Sequence, residues 1–471
     1  MKRKRDRIFR AAGAFGGVFA ALCLLSCGQT ERSLPSPGPL EVDLIWSGSG
    51  ENQPFARFGS ALASGDFNGD GWTDLLVAAG SFNTGRPNAG KVFLFLGTAS
   101  GLSEKAAWAG AGDDQEGAYF GSSIAVADVD RDGFSDAVIG ASDYDDGKGR
   151  NVGKAYLYMG KPEGLSRDPS WTSSGENQSG AFYGISAAGA GDVNGDGFED
   201  VLVGASGYSD RGESVGKAYL YLGGKEGLAA GPAWTSMGDR MKGSGFGFSL
   251  GAAGDVNHDG YDDILIGAPR FYGKVFIYPG APRGPRSWPI WTASGHRQGG
   301  SAFGMTLAGL HDVNGDRFPD LAVGAPFEDT PGHTDAGKAF LFLGSPWGIS
   351  VSAGWGRSGD DQIDAKYGTA LIPVGDVNRD GYDDLLVGAK AAKTGPIRTG
   401  RATLYLGGPR GLGAPAWSGA GEGREDALFG AAGAPYSSKN FSGFVVGAPH
   451  YSSDSERAGK VYLYRAQSGA R

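Results

Sequence analysis

An all-β repeat fold is predicted for this chain by three regularities. A Phe-Gly or Tyr-Gly pair stands at Phe58, Phe120, Tyr183, Phe246, Phe303, Tyr367 and Phe429. A Trp lies twelve residues before every one of them, at Trp46, Trp108, Trp171, Trp234, Trp291, Trp355 and Trp417. An acidic loop of nine residues follows six of the pairs, starting at Asp66, Asp128, Asp192, Asp255, Asp312 and Asp376. Self-similarity at a spacing of 57 to 64 residues marks one supersecondary unit used repeatedly. Seven such units, each read as four short strands, fit a ring that protects its strand edges by radial repetition. The expected architecture is a seven-bladed β-propeller with four-stranded blades.

Each unit justifies its strands in turn. After the Phe-Gly pair and the acidic loop comes a short apolar run ending in small residues, such as Ile264-Leu265-Ile266-Gly267-Ala268-Pro269. Gly-Lys, once Gly-Arg, then opens an alternating run such as Gly216-Lys217-Ala218-Tyr219-Leu220-Tyr221-Leu222. The Trp segment supplies the last strand. Aromatic and β-branched residues, period-two alternation and Gly-rich breaks all favour strands. The 86 glycines suit many tight turns, and no convincing amphipathic helix follows residue 30. Trp46 precedes the first Phe-Gly pair, and no Trp follows the last repeat, whose final strand runs Lys460 to Tyr464. The Trp46 strand is therefore expected to complete blade seven, so that the N- and C-terminal strands close the ring. A linear β-solenoid is the alternative, but it would leave its ends exposed or need caps. Residues 41–466 are read as this one domain.

The N-terminal segment is of a different kind. Residues 1–26 read as a targeting segment, with a basic start (Lys2, Arg3, Lys4, Arg5, Arg7, Arg10) and an apolar stretch from Ala11 to Leu25 that is short for a membrane span. It ends Leu24-Leu25-Ser26-Cys27, which resembles a bacterial lipoprotein box. That resemblance implies cleavage before Cys27, lipid attachment there, and a location anchored in the bacterial cell envelope. If the box is not used, the protein is secreted. Residues 27–40 read as a flexible tether. Cys23 and Cys27 are the only cysteines, so the mature chain is expected to have no disulfide. The formal charge of −9 includes +5 from residues 1–26, which makes the mature chain −9 − 5 = −14. Nothing basic enough for nucleic-acid binding is present.

The acidity is concentrated in the loops. Positions one, three, five and nine carry Asp66, Asn68, Asp70 and Asp74 in the first, and Asp128, Asp130, Asp132 and Asp136 in the second. The third has Asp192, Asn194, Asp196 and Asp200; the fourth has Asp255, Asn257, Asp259 and Asp263. The fifth has Asp312, Asn314, Asp316 and Asp320; the sixth has Asp376, Asn378, Asp380 and Asp384. Several hard oxygen donors around one small volume suit Ca²⁺. A helix–loop–helix site would need an acid at position twelve, where Val77, Ile139, Val203, Ile266, Val323 and Val387 stand instead. The loop is thus a β-hairpin connection.

The Phe-Gly pair, the acidic nonapeptide, the Gly-Ala-Pro segment and the Gly-Lys strand resemble the FG-GAP repeats of the integrin α-subunit propeller, over all seven units. The resemblance implies that the side chains above bind up to six structural Ca²⁺ ions, with a backbone carbonyl at position seven. Two departures matter. Arg317 replaces the Gly of the other loops, and Ser437-Ser438-Lys439-Asn440 replaces the loop of the seventh repeat, which is expected to bind no metal.

The family binds partners on the face opposite the acidic hairpins. There an aromatic recurs after the Gly-Ala-Pro segment: Phe82, Tyr144, Tyr208, Phe271 and Tyr451, with Phe327 one residue earlier and none in blade six. By the resemblance, such rings receive a basic side chain of a partner subunit; packing against neighbouring blades is the other reading. Asp113-Asp114-Gln115, Glu176-Asn177-Gln178 and Asp360-Asp361-Gln362 lie on connections of this face, as ligand contacts or as a solvated rim. The five His share no metal-ligand spacing, and no nucleophile elbow or phosphate loop occurs. The expected function is a Ca²⁺-stabilised binding or adhesion module of the cell envelope recognising a protein or glycan. The alternatives are a polysaccharide- or lipid-acting enzyme and a structural component of an envelope complex.

Overall fold

The computed structural model describes residues 40–295 and 298–468, which are all-β with no helix. The proposed signal and tether, Cys27 included, lie outside the described residues. Seven four-stranded antiparallel sheets form the seven blades. Blade one is typical: Phe58–Gly65, Asp74–Ala79, Lys91–Phe95 and Trp108–Gly110 follow one another in sequence and in space.

The second strand of blades one to six is buried along its whole length, as in Asp263–Ala268, and that of blade seven all but its first residue. Both of its faces meet other blades, which explains a continuous apolar run rather than alternation. The first strands carry small residues and line the axis. Ser60, Ser123, Ser186, Ser249, Thr306, Ala370 and Gly433, one from each blade, face a common cavity of about 310 Å³. A channel bordered by all seven blades requires a closed ring.

Closure is made in blade seven. Leu40–Gly48 pairs antiparallel with Lys460–Ser468, from Leu40 opposite Ser468 to Gly48 opposite Val461, with an irregularity between Leu44 and Trp46. The two ends of the ring therefore share one sheet, as the position of Trp46 predicts.

The core is divided into seven apolar clusters, and each lies between two adjacent blades. One joins Phe58, Val77 and Phe93 of blade one to Tyr436, Val445 and Leu463 of blade seven, so the closing interface is built like the others. The Trp of each fourth strand packs on an aromatic of the next blade's third strand. Trp108 meets Tyr158 at 5.1 Å and Trp171 meets Tyr221 at 4.9 Å between ring centres, in edge geometry. Trp46 meets Phe95 at 5.4 Å in the same way. The Phe or Tyr of each pair stays within its own blade, as Phe120 on Tyr156 does at 5.4 Å.

The glycine of Gly-Lys has a steric cause. Gly153 pairs with Tyr183 of the next blade, and a Cβ there would lie 2.1 Å from the Tyr183 carbonyl oxygen. Its φ of +82° is also left-handed, so no other residue suits it.

Candidate metal centres

All six acidic loops join the first strand of a blade to the second, so they share one face of the ring. Each is organised by backbone N–H groups. The position-one carboxylate accepts from positions five and six, as Asp66 does from Asp70 (3.2 Å) and Gly71 (2.8 Å). The position-five carboxylate accepts from position seven, as Asp196 does from Phe198 at 3.1 Å. These bonds curl the chain so that its side-chain oxygens converge.

Position nine is anchored most firmly. Asp74 accepts from the Phe67 N–H at 2.9 Å and the Gly97 N–H at 2.7 Å. Asp136, Asp200, Asp263, Asp320 and Asp384 repeat this pair of bonds. All six are no more than 1% exposed. Burial, only partly offset by those two bonds and reinforced by the other loop acids, pushes Asp74, Asp136, Asp200, Asp263 and Asp384 up to about 7. Asp320 is pushed up to about 6. A buried carboxylate facing like charges calls for a cation.

Loop two, with Asp at position three, shows the convergence in carboxylates alone. Oxygens of Asp128, Asp130 and Asp136 lie within 4.8 Å of one another. Such an all-oxygen set fits a hard divalent ion. In loops one, three, five and six the position-three Asn donates its amide to the position-five carboxylate, as Asn68 does to Asp70 at 2.9 Å. In loop four Asn257 turns instead to Asp263, at 3.2 Å from both oxygens.

Arg317 has the left-handed backbone expected of its position, with φ +70°. Its N–H still donates to Asp312 at 2.7 Å, so the loop forms at the cost of strain. Position four is left-handed as well, and Arg131, His258 and Arg379 occupy it at φ +57°, +59° and +61°. Strain at position four is thus shared by three loops, whereas Arg317 alone strains position six. An Asp196→Ala substitution is expected to cost more thermal stability in Ca²⁺ than Asp316→Ala, because loop three has glycine at both left-handed positions, Gly195 and Gly197, whereas loop five carries Arg317 at one of them. The difference is on the order of 1 kcal/mol, the cost of a side chain at a left-handed position. Equal losses in calorimetric melting would contradict this.

Neighbouring loops are also tied together, which sequence spacing alone did not reveal. The position-eight side chain reaches back to the preceding loop: Ser135 accepts from the Asp66 N–H (3.2 Å), Glu199 from Asp128 (2.9 Å) and Asp262 from Asp192 (2.9 Å). Blade seven, without a loop, sends Lys439 across to the Asp70 carbonyl at 2.7 Å.

The opposite face differs from expectation. Phe82 and Tyr451 are buried, each 5% exposed, and Tyr144, Tyr208 and Phe327 are half-buried. The lysine of the Gly-Lys strand stands over the ring: Lys91 on Phe82, Lys154 on Tyr144, Lys217 on Tyr208 and Lys460 on Tyr451, at 4.8 to 5.0 Å from the centres. Lys366 covers Phe327 at 4.8 Å. These five rings are thus already engaged by cations of the same chain, which is the contact that the packing reading of them describes. Phe271 departs: it is 53% exposed beside Tyr272 at 58%, on the shortened loop of blade four.

In six blades the basic residue of the Gly-Lys strand also has a carboxylate, five residues after a Trp. Lys154 pairs with Asp113 at 2.7 Å, and Lys91 with Glu51, Lys217 with Glu176, Lys274 with Asp239, Arg401 with Asp360 and Lys460 with Glu422. The Gln two residues later clamps the neighbouring loop through both ends of its amide. Gln115 accepts from the Asp145 N–H and donates to the Asp145 carbonyl, both at 2.7 Å. Gln178 does so with Ser209 and Gln362 with Lys393. The acid-acid-Gln and Glu-Asn-Gln triplets therefore serve the fold. The constant offset from Trp was the signal that could have shown it.

Comparison with known proteins agrees with this geometry. The FG-GAP repeat model matches residues 58–95, 120–158, 183–221, 246–278, 303–342 and 368–405. Integrin alpha-5 of Xenopus laevis is 35% identical over 233 residues, 47% of this chain and 21% of that protein. Integrin alpha-3 of Cricetulus griseus is 39% identical over 158 residues, 33% of this chain and 14% of that protein. Integrin alpha-7 of Homo sapiens is 40% identical over 159 residues, 32% and 13% of the two chains. The chain spans about one fifth or less of the length of these relatives. With six matched repeats and seven blades built to one plan, the chain belongs to the FG-GAP repeat proteins and is integrin-α-like.

Proposed function

We propose that this ring is a Ca²⁺-stabilised binding or adhesion module of the cell envelope, which captures a protein or glycan on the face opposite its metal loops. The observation that carries the reading is the division of labour between the two faces. One holds six acidic hairpins, each anchored at a buried aspartate (Asp74, Asp136, Asp200, Asp263, Asp320 and Asp384), with the carboxylates of Asp128, Asp130 and Asp136 within 4.8 Å of one another in loop two. The other presents an exposed aromatic pair, Phe271 and Tyr272, without a covering lysine. Side chains at positions one, three, five and nine would hold the ions, whose role is to neutralise carboxylates and fix the hairpins. Large exposed aromatics on a rigid surface suit partner contact. The lipoprotein-like segment ending at Cys27 supports an anchored location, with the ring displayed at the membrane surface.

Replacing Phe271 and Tyr272 together by Ala is expected to weaken capture at least tenfold, read on a glycan array and in pull-downs from envelope extracts in Ca²⁺. The melting temperature should change by less than about 2 °C, because exposed side chains contribute little to stability. Undiminished capture by the double variant would refute the assigned surface. A collapsed fold would return these rings to a packing role.

A further inference from the structure

Blade six lacks the aromatic of its sister blades: Ala392 stands at that position, and Lys390 replaces the Gly, Ser or Pro found two residues before it elsewhere. Beside Lys390 and Ala391 a cavity of about 220 Å³ lies between blades six and seven, on the face opposite the metal loops. Lys366, Lys390, Arg398, His450 and Arg457 line it, with Asp426 as its one acid. This is a concentration of cations on a protein whose overall formal charge is −9.

Two of the four cations are compensated internally. Lys366 pairs with Asp364 at 3.2 Å, and Arg398 with Asp426 at 2.7 Å. Lys390 and Arg457 have no carboxylate within ion-pair distance among the described residues. That contrasts with the strand lysines of other blades, which are paired almost without exception. His450 adds no charge at neutral pH. Burial, and then the neighbouring Arg57 and Arg457, hold it down at about 4. Lys390 is likewise held below its ordinary value by burial and by Lys366. Burial is the larger cause of both shifts, the neighbouring cations add to it, and Asp426 opposes them in part at His450.

Two uncompensated cations match one dianion. A guanidinium fork and an ammonium together supply directed and undirected contacts to a tetrahedral oxyanion. The volume admits a phosphate with a small attached group. We propose that this cavity binds a phosphate monoester, held by Lys390 and Arg457 with Arg398 at its edge. A carboxylate would leave one cation unmatched and is expected to bind more weakly. The site lies on the face assigned above to partner capture, yet it does not depend on that reading, since a free phosphate ester is enough to test it.

The test uses the full ring in Ca²⁺ at low ionic strength. Titration calorimetry with glucose 6-phosphate should show saturable binding, at least tenfold tighter than glucose or acetate. Lys390→Ala with Arg457→Ala should weaken it at least tenfold, Lys390→Arg should retain it, and the distant Lys242→Ala should leave it unchanged. Flotation with phosphatidate-containing vesicles, run on the same variants, separates a lipid headgroup from a soluble ester. Binding by either source that is lost in the double variant supports the site. Absence of saturable binding to both probes overturns it, as does equal binding by wild type and a double variant that keeps its Ca²⁺-dependent melting.

Discussion

Removal of Ca²⁺ with a chelator is expected to lower the melting temperature of the ring by about 10 °C. Ligand that binds only the folded form stabilises by mass action, about 1.4 kcal/mol per site at tenfold over its dissociation constant. Six independent sites would supply about 8 kcal/mol, and a chain of this size shifts by roughly 1–2 °C per kcal/mol on the scaling of larger domains. The same loops set the pH dependence. In the metal-free fold the position-nine carboxyls lie at about 7, against an ordinary 3.8. A carboxyl raised by folding binds its proton more tightly in the native chain, so the unfolded chain is favoured once both forms ionise. Stability in chelator should therefore fall as pH rises from about 4 through about 7. Ca²⁺ needs the ionised ligands, so its stabilising effect should grow over that same interval. Melting curves at pH 5 and pH 8, with and without Ca²⁺, read both trends. A chelator effect equal at the two pH values, or absent at both, would remove the metal from the account of stability.

Features that depend on local chain direction were legible in the sequence. The Trp offset located every fourth strand, and the unmatched Trp46 disclosed where the ring closes. The acidic nonapeptides declared six hairpins, because oxygen-bearing side chains at positions one, three, five and nine can converge only if the chain turns. Contacts between blades were less legible. Lys154 and Asp113 are 41 residues apart, and only the ring brings them together over Tyr144. A lone aromatic after the Gly-Ala-Pro segment reads the same whether it is open or covered. What decides it is the strand lysine standing on its face. The cavity at Lys390 and Arg457 was hidden for a related reason. It is lined by cations from two blades, Lys390 of blade six and Arg457 of blade seven among them, and their spacing in the sequence shows nothing until the blades stand side by side.

Deletion of residues 40–48 is expected to open the ring. That strand forms a ladder along the whole of Lys460–Ser468, and its loss would leave the latter as an uncovered edge. Trp46 would no longer pack on Phe95, and Leu40 and Val42 would leave the cluster that joins blades six and seven. The Arg465–Asp43 pair at 2.8 Å would also go, though an exposed pair of this kind contributes little. Loss of a large aromatic contact costs about 3–5 kcal/mol on the scale of core truncations, before the ladder is counted. The melting temperature should fall by about 3–10 °C from that contact alone, and further with the loss of the ladder. An open strand edge also templates pairing with other chains, so the truncated protein should associate as its concentration rises. A synthetic peptide of residues 40–48, added in excess, should restore both monomeric behaviour and melting, since the register is set by Leu44, Trp46 and the bulge between them. Deletion that leaves a stable monomer would show that blade seven holds with three strands, and that the ring does not depend on the meeting of its ends.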